Sequence, residues 1–228
     1  MRMHRKFGAA LLGAAALLLG GQTGAAKNWL TEVALIDGGH RIGNPQAPVR
    51  LTEYVSYTCP HCAEFARESG GALDLAFVSP GRVSVEVRHL LRDPVDLTAA
   101  MLTNCGAPAK FRQNHAAFML GQDQWIAPLR TANAAQRQRW TSGPPAARRR
   151  AIASDFKFYA IMERRGYTRA EADRCLADEA LATRLAETSE RDWKRPGITG
   201  TPSFAIDGTV LAGTSTWRAL ELQLAARF

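Results

Sequence analysis

Val49-Arg50-Leu51-Thr52-Glu53-Tyr54-Val55-Ser56 runs through Tyr57-Thr58 into Cys59-Pro60-His61-Cys62 and then Ala63-Glu64-Phe65-Ala66-Arg67-Glu68. The first block is rich in β-branched and aromatic residues and predicts a strand. The last block suits a helix. The two cysteines therefore sit where a strand turns into a helix. Unpaired backbone N–H groups and the helix dipole favour negative charge at such a start. A thiol at Cys59 ionises more easily there, and the thiolate is the form that attacks disulfides. Cysteines two residues apart can close a disulfide over the first turn. Cys59, at the exposed end, is expected to be the nucleophile, and Cys62, one turn in, the buried resolving thiol. Pro60 is preset for the first helical position and has no N–H to leave unpaired. His61 adds a ring able to aim a hydrogen bond or positive charge at the Cys59 sulfur.

Working outward, Val83 to Leu90 alternates as a strand does, with Val83, Val85 and Val87 on one face. Strand, helix, strand predicts a right-handed crossover and a parallel pair. Upstream, Val33-Ala34-Leu35-Ile36 before Asp37-Gly38-Gly39 reads as a short edge strand and a turn, and Asn44 to Pro48 as a loop. From about Asp96 to Arg195 the chain is alanine- and arginine-rich, with helices expected over 97–104, 109–120, 145–165, 169–177 and 180–194. Thr168 with Glu171 fits a capping box and Gly166 a helix stop. Trp125 and Trp140 read as core anchors. Strands return at 203–206 and 209–212 around Asp207-Gly208, a two-residue hairpin signal. A last helix aligns Trp217, Leu220, Glu221 and Leu224. The layout is an α/β, thioredoxin-like fold with a helical insertion domain: an N-terminal segment over 26–39, the core over 40–95 and 196–228, and the insertion over 96–195.

Residues 1–25 read as a cleaved signal peptide: a basic start with Arg2, Arg5 and Lys6, an apolar stretch from Phe7 to Leu19, and small residues up to Ala25 and Ala26. No later segment has the ~20 apolar residues a membrane span needs. The expectation is an exported, periplasmic protein, about 200 residues long once processed, enough for one core plus an insertion. Losing the three basic residues lowers the formal net charge from +8 to +5. The Arg148-Arg149-Arg150 run lacks interleaved aromatics, so solvated helix faces, not nucleic-acid binding, are expected. Outside the cytosol thiols that meet tend to oxidise, so Cys105 and Cys175 are a candidate structural disulfide.

Thr201-Pro202 precedes the returning strand. An X-Pro bond adopts cis cheaply, and in a thioredoxin core a cis-proline loop faces the Cys-x-x-Cys, where its backbone can pair with an extended substrate. Glu53 through Cys62, Thr201-Pro202 and the helical insertion together resemble the DsbA-like thiol:disulfide oxidoreductases, over nearly the whole chain beyond the signal. The resemblance implies that Cys59 attacks and Cys62 resolves, that Pro60 and His61 tune the site, that Pro202 is cis, and that Glu53 assists proton transfer beneath it, with Arg88 as a candidate counter-charge. It also implies a low thiolate pKa and an oxidising couple. One position departs: Thr201 stands where the best-known oxidase of the family has valine, and threonine there is common in reducing and isomerising relatives.

Two directions of electron flow follow. In one, the chain donates its Cys59–Cys62 disulfide to free thiols of unfolded or folding exported polypeptides and is reoxidised by a membrane, quinone-linked partner. In the other it is an isomerase or reductase, often dimeric. The stretch from Lys27 to His40 is short for a dimerisation module, so a monomer is expected. Cys59, His61 and Cys62 are also soft ligands for copper or zinc, but no second cluster completes a closed site, and Ala63 stands where haem attachment needs histidine. No metal and no cofactor beyond the redox-active disulfide are expected. His40, His89 and His115 lack ligand spacing and read as structural or surface residues.

Overall fold

Strands β1 (Val33–Ile36), β2 (Gly39–Ile42), β3 (Val49–Val55), β4 (Val83–His89), β5 (Ser203–Ile206) and β6 (Thr209–Val210) form one sheet in the order β1-β2-β4-β3-β5-β6. The computed structural model describes residues 27–228; the expected signal peptide lies outside the described residues. Helix α1 (Pro60–Leu73) links β3 to β4, which pair in parallel from Val49 opposite Val83 to Val55 opposite His89. The other pairings are antiparallel. β1 is an edge strand that turns at Asp37-Gly38 into β2. No pattern in the sequence marks β2, because Gly39-His40-Arg41-Ile42 carries little strand propensity of its own. The boundary expected between residues 39 and 40 falls inside this hairpin, and the N-terminal segment extends the core sheet. Asp207 and Gly208 take φ of 50° and 87° in the tight turn between β5 and β6, the left-handed pair that such hairpins require. β6 stops at Val210, two residues before the expected end.

The insertion consists of α2 (Pro94–Thr103), α3 (Phe111–Leu120), α4 (Gln122–Trp125), α5 (Pro128–Thr131), α6 (Ala134–Thr141), α7 (Pro145–Asp155), α8 (Phe158–Arg164), α9 (Arg169–Leu176) and α10 (Glu179–Trp193). The single helix expected over 145–165 is two. Lys157 breaks it with φ of 58°. The reason is packing: Phe156 and Phe158 are both fully buried, yet two residues apart they point to different sides of a straight helix. The break turns both inward, Phe156 onto Trp140 and Phe158 onto Trp125, each pair 5.0 Å between ring centres. The two tryptophans are thus core anchors. Thr168 and Glu171 form the capping box at the start of α9. Cys105, just beyond α2, is disulfide-bonded to Cys175 of α9, with 5.6 Å between Cα atoms.

Helix α11 (Trp217–Ala225) buries Trp217, Leu220 and Leu224 and leaves Glu221 exposed. Phe65 of α1 meets Phe204 of β5 at 4.6 Å and Trp217 at 6.3 Å. These contacts lock the two separated halves of the core together around the start of α1.

Candidate active site

Cys59 is the extended residue that caps α1, with φ −89° and ψ 118°, and Pro60 is the first helical residue. The Thr201–Pro202 peptide bond is cis. It brings the Thr201 carbonyl oxygen to 3.1 Å from the Cys59 sulfur. Both cysteines are free thiols here. The carbonyl contact favours a protonated Cys59, but more groups favour the thiolate. The Cys62 S–H donates to it, against the opposing effect of burial, and the Thr201 hydroxyl and the backbone N–H groups of Cys62 and His61 add to the same side, so the Cys59 pKa falls from 9.0 to about 5. Cys62 moves the other way. Burial, then its bond to Cys59 and the Cys59 charge, raise it well above the ordinary range. One sulfur is therefore an anion at neutral pH and the other holds its proton.

Two expectations need correction. Cys59 is not at an exposed end: only 3% of its surface is open, beneath the Thr201–Pro202 loop. A groove of about 460 Å³ runs beside it, lined by His61, Glu64, Phe65, Thr201, Pro202 and Thr214 among others. The His61 ring does not serve the sulfur. It is largely in solvent and faces Glu64 at 3.4 Å, and it is the His61 backbone N–H that helps hold the thiolate.

Glu53 lies on β3, is 7% exposed, and burial raises its pKa to about 7. Its charge is felt at Cys62. Arg88 is not its counter-charge. In the parallel register Arg88 stands opposite Tyr54 while Glu53 stands opposite Val87, so the two side chains leave opposite faces of the sheet. Arg88 instead donates to Asp192 of α10 at 2.6 Å.

The loop that delivers Cys59 is clamped by residues without any sequence signal linking them to it. Asp96, fully buried in α2, accepts from Ser56 Oγ at 2.6 Å and from the Tyr57 N–H at 2.7 Å. Burial lifts its carboxyl to about 7. Asp93 caps α2 through the N–H groups of Val95 and Asp96, and accepts from Thr58 Oγ1 at 2.6 Å. Gln122, 2% exposed, donates from Nε2 to the carbonyls of Tyr57 at 2.6 Å and Cys59 at 2.9 Å. Asp93-Pro94 is legible as a helix start; its reach to residues 56–58 is not, being a tertiary contact.

His40, His89 and His115 come together around Phe111 and Tyr57. His40 stacks on Phe111 with 3.8 Å between ring centres, and His115 Nδ1 lies 2.8 Å from the Tyr57 hydroxyl. Burial lowers His40 and His115 to about 4 and His89 to about 3, so all three are neutral at pH 7. Among the described residues no group of three or more His, Cys, Asp or Glu is arranged to hold a metal ion.

The thioredoxin family model matches residues 36–226. A crystal structure of a protein-disulfide isomerase from Novosphingobium aromaticivorans is 52% identical, covers 85% of this chain and 98% of its own, and superposes with a TM-score of 0.81. Wolbachia pipientis α-DsbA1 is 19% identical with a TM-score of 0.67, covering 84% of this chain and 92% of its own. A curated Rickettsia conorii relative is 26% identical over 168 residues, 73% of this chain and 52% of its own length. The chain spans about half the length of the curated relatives it matches. With a Cys-x-x-Cys capping the helix after β3, a cis-proline loop opposite it and a helical insertion between the halves of the sheet, the chain belongs to the thioredoxin family and has a fold of the DsbA kind.

Proposed function

We propose that this chain is an exported protein-disulfide oxidoreductase that donates its Cys59–Cys62 disulfide to cysteines of folding polypeptides. The observation that carries this is the divergence of the two sulfurs, Cys59 near 5 and Cys62 well above 9. A substrate thiolate attacks the Cys59 sulfur of the oxidised protein. The Cys59–Cys62 bond breaks, a substrate–Cys59 bond forms, and Cys62 leaves and takes a proton. Glu53, near pH 7 the titratable group beneath it, supplies that proton. A second substrate thiolate then attacks the substrate sulfur and releases Cys59 as a stabilised thiolate. The substrate loses two electrons and the Cys59–Cys62 pair gains them. A thiolate two pKa units below a thioredoxin-like value near 7 shifts the couple by ~60 mV toward oxidation.

In this reading the extended substrate pairs with the Thr201–Pro202 loop, no cofactor beyond the cysteine pair is required, and a membrane, quinone-linked partner restores the disulfide. Residues 1–25 direct export to the periplasm, and the protein acts as a monomer. No helix among the described residues is long and apolar enough to cross a membrane. The names of the Rickettsia relatives carry protein-disulfide oxidoreductase, which supports the reaction class.

Thr201 before the cis-proline, together with the isomerase name of the 52% identical Novosphingobium protein, favours a second reading, isomerisation by the reduced form. Equilibration with glutathione, with the Cys59–Cys62 state read by alkylation, separates the two. Donation predicts a potential less negative than about −210 mV, and a value near that of thioredoxin, about −270 mV, defeats it. Refolding of a scrambled substrate by reduced protein alone supports isomerisation.

A further inference from the structure

We propose that the cavity between α1 and α3 is a binding site for a small amphipathic carboxylate. Its volume is about 640 Å³, within the range of small-molecule sites. Ile42, Leu73, Val85, Val87 and Met119 give it apolar walls, and Glu53 forms its floor. Three arginines stand at its edge. Arg67 is paired with Asp123 and Arg112 with Asp74. Arg165 contacts the neutral Gln113 side chain and pairs with no carboxylate among the described residues. A guanidinium without a carboxylate partner at the edge of an apolar cavity fits an anionic head on an apolar body.

The wall itself points the same way. Gly70 and Gly71 lie inside α1 and line the cavity. A Cβ at either would meet nothing within 4 Å. Glycine inside a helix is destabilising relative to alanine, and no close packing here requires it. What the two glycines do is leave that wall open. Directly after them the helix widens into a π-helical turn over Asp74–Val78, with Asp74 and Val78 also on the lining; such turns concentrate at functional sites.

An occupant would cut the floor, and Glu53, off from water. That coupling rests on the part given to Glu53 above, whereas binding itself does not, so the test is read on Cys59→Ser protein, in which thiol exchange is silent. Decanoate, decanol and decylamine are titrated calorimetrically. The site predicts saturable one-to-one binding of decanoate, at least five-fold weaker binding of decanol and decylamine, and a loss of five-fold or more in Arg165→Gln. Gly70→Leu/Gly71→Leu fills the wall and removes binding while the protein still melts cooperatively; should that variant fail to fold, Arg165→Gln decides. No saturable decanoate binding, equal affinity for decanol, or affinity unchanged in Arg165→Gln overturns the proposal.

Discussion

Replacing Gln122 by leucine removes a side chain that ties the helical insertion to the backbone on both sides of Thr58. Its Nε2 donates to the Tyr57 carbonyl at 2.6 Å and to the Cys59 carbonyl at 2.9 Å. Leucine is close in size, so the perturbation is polar and not steric. The two carbonyls fare differently. The Cys59 carbonyl keeps a long bond from the Ala63 N–H at 3.4 Å. The Tyr57 carbonyl loses its donor inside the protein. A buried group left unpaired costs about 1–3 kcal/mol and an ordinary lost bond about 1 kcal/mol, so Gln122→Leu should destabilise the reduced protein by about 2–4 kcal/mol. Urea unfolding followed by tryptophan fluorescence measures this directly. The slackened loop should also let the Cys59 midpoint drift upward from about 5, because the N–H groups of His61 and Cys62 are held in place through it. Gln122→Glu is the control: an ionised carboxylate cannot donate to either carbonyl, so its loss should be larger at pH 7 than at pH 5. A Gln122→Leu protein within ~1 kcal/mol of the parent, half the ~2 kcal/mol at the low end of that range, with an unchanged Cys59 midpoint, would refute the view that this residue holds the active loop.

Three further outcomes follow from the same geometry. The depressed Cys59 pKa stabilises the reduced fold above the ordinary thiol range and is lost as pH falls through about 5; the oxidised protein lacks this contribution. Reduced-minus-oxidised stability should therefore rise between pH 5 and 8 by about 2–4 kcal/mol, at ~1.36 kcal/mol for each pH unit at most, and a flat difference would deny the thiolate. For Glu53, burial raises the acid to about 7, so its charge weakens the fold as pH rises through that value. Glu53→Gln should be more stable than the parent above pH 7, yet form the substrate–Cys59 disulfide on the order of a hundred-fold more slowly in stopped-flow assays; an unchanged rate of that step would remove Glu53 from proton transfer. Cys105→Ala/Cys175→Ala opens a loop of 70 residues and should lose about 4 kcal/mol in chemical denaturation, with thiol exchange at Cys59 retained.

The sequence exposed the parts of the molecule in which local pattern and tertiary role coincide. Strand, Cys-Pro-His-Cys and helix had to follow one another, and Asp207-Gly208 could only be a tight turn. The capping box at Thr168 was legible for the same reason. What stayed hidden depended on distant packing. Nothing near Lys157 announces a left-handed break; it exists because Phe156 and Phe158 must both reach the insertion core. β2 forms because β4 offers it an edge. Adjacency alone points His61 at the sulfur, but a side chain at the second helical position lies along the surface, and only its backbone faces Cys59. Asp96 and Gln122 carry no motif, since a clamp made of single hydrogen bonds leaves no periodic trace.

Thiolate absorbance of the fully reduced protein against pH tests the central assignment, a Cys59 anion held by donors from the Cys62 thiol, the Thr201 hydroxyl and the helix start. The transition should fall near pH 5 and be absent from Cys59→Ser. A single transition near 8.5, the value of a free thiol, would contradict it.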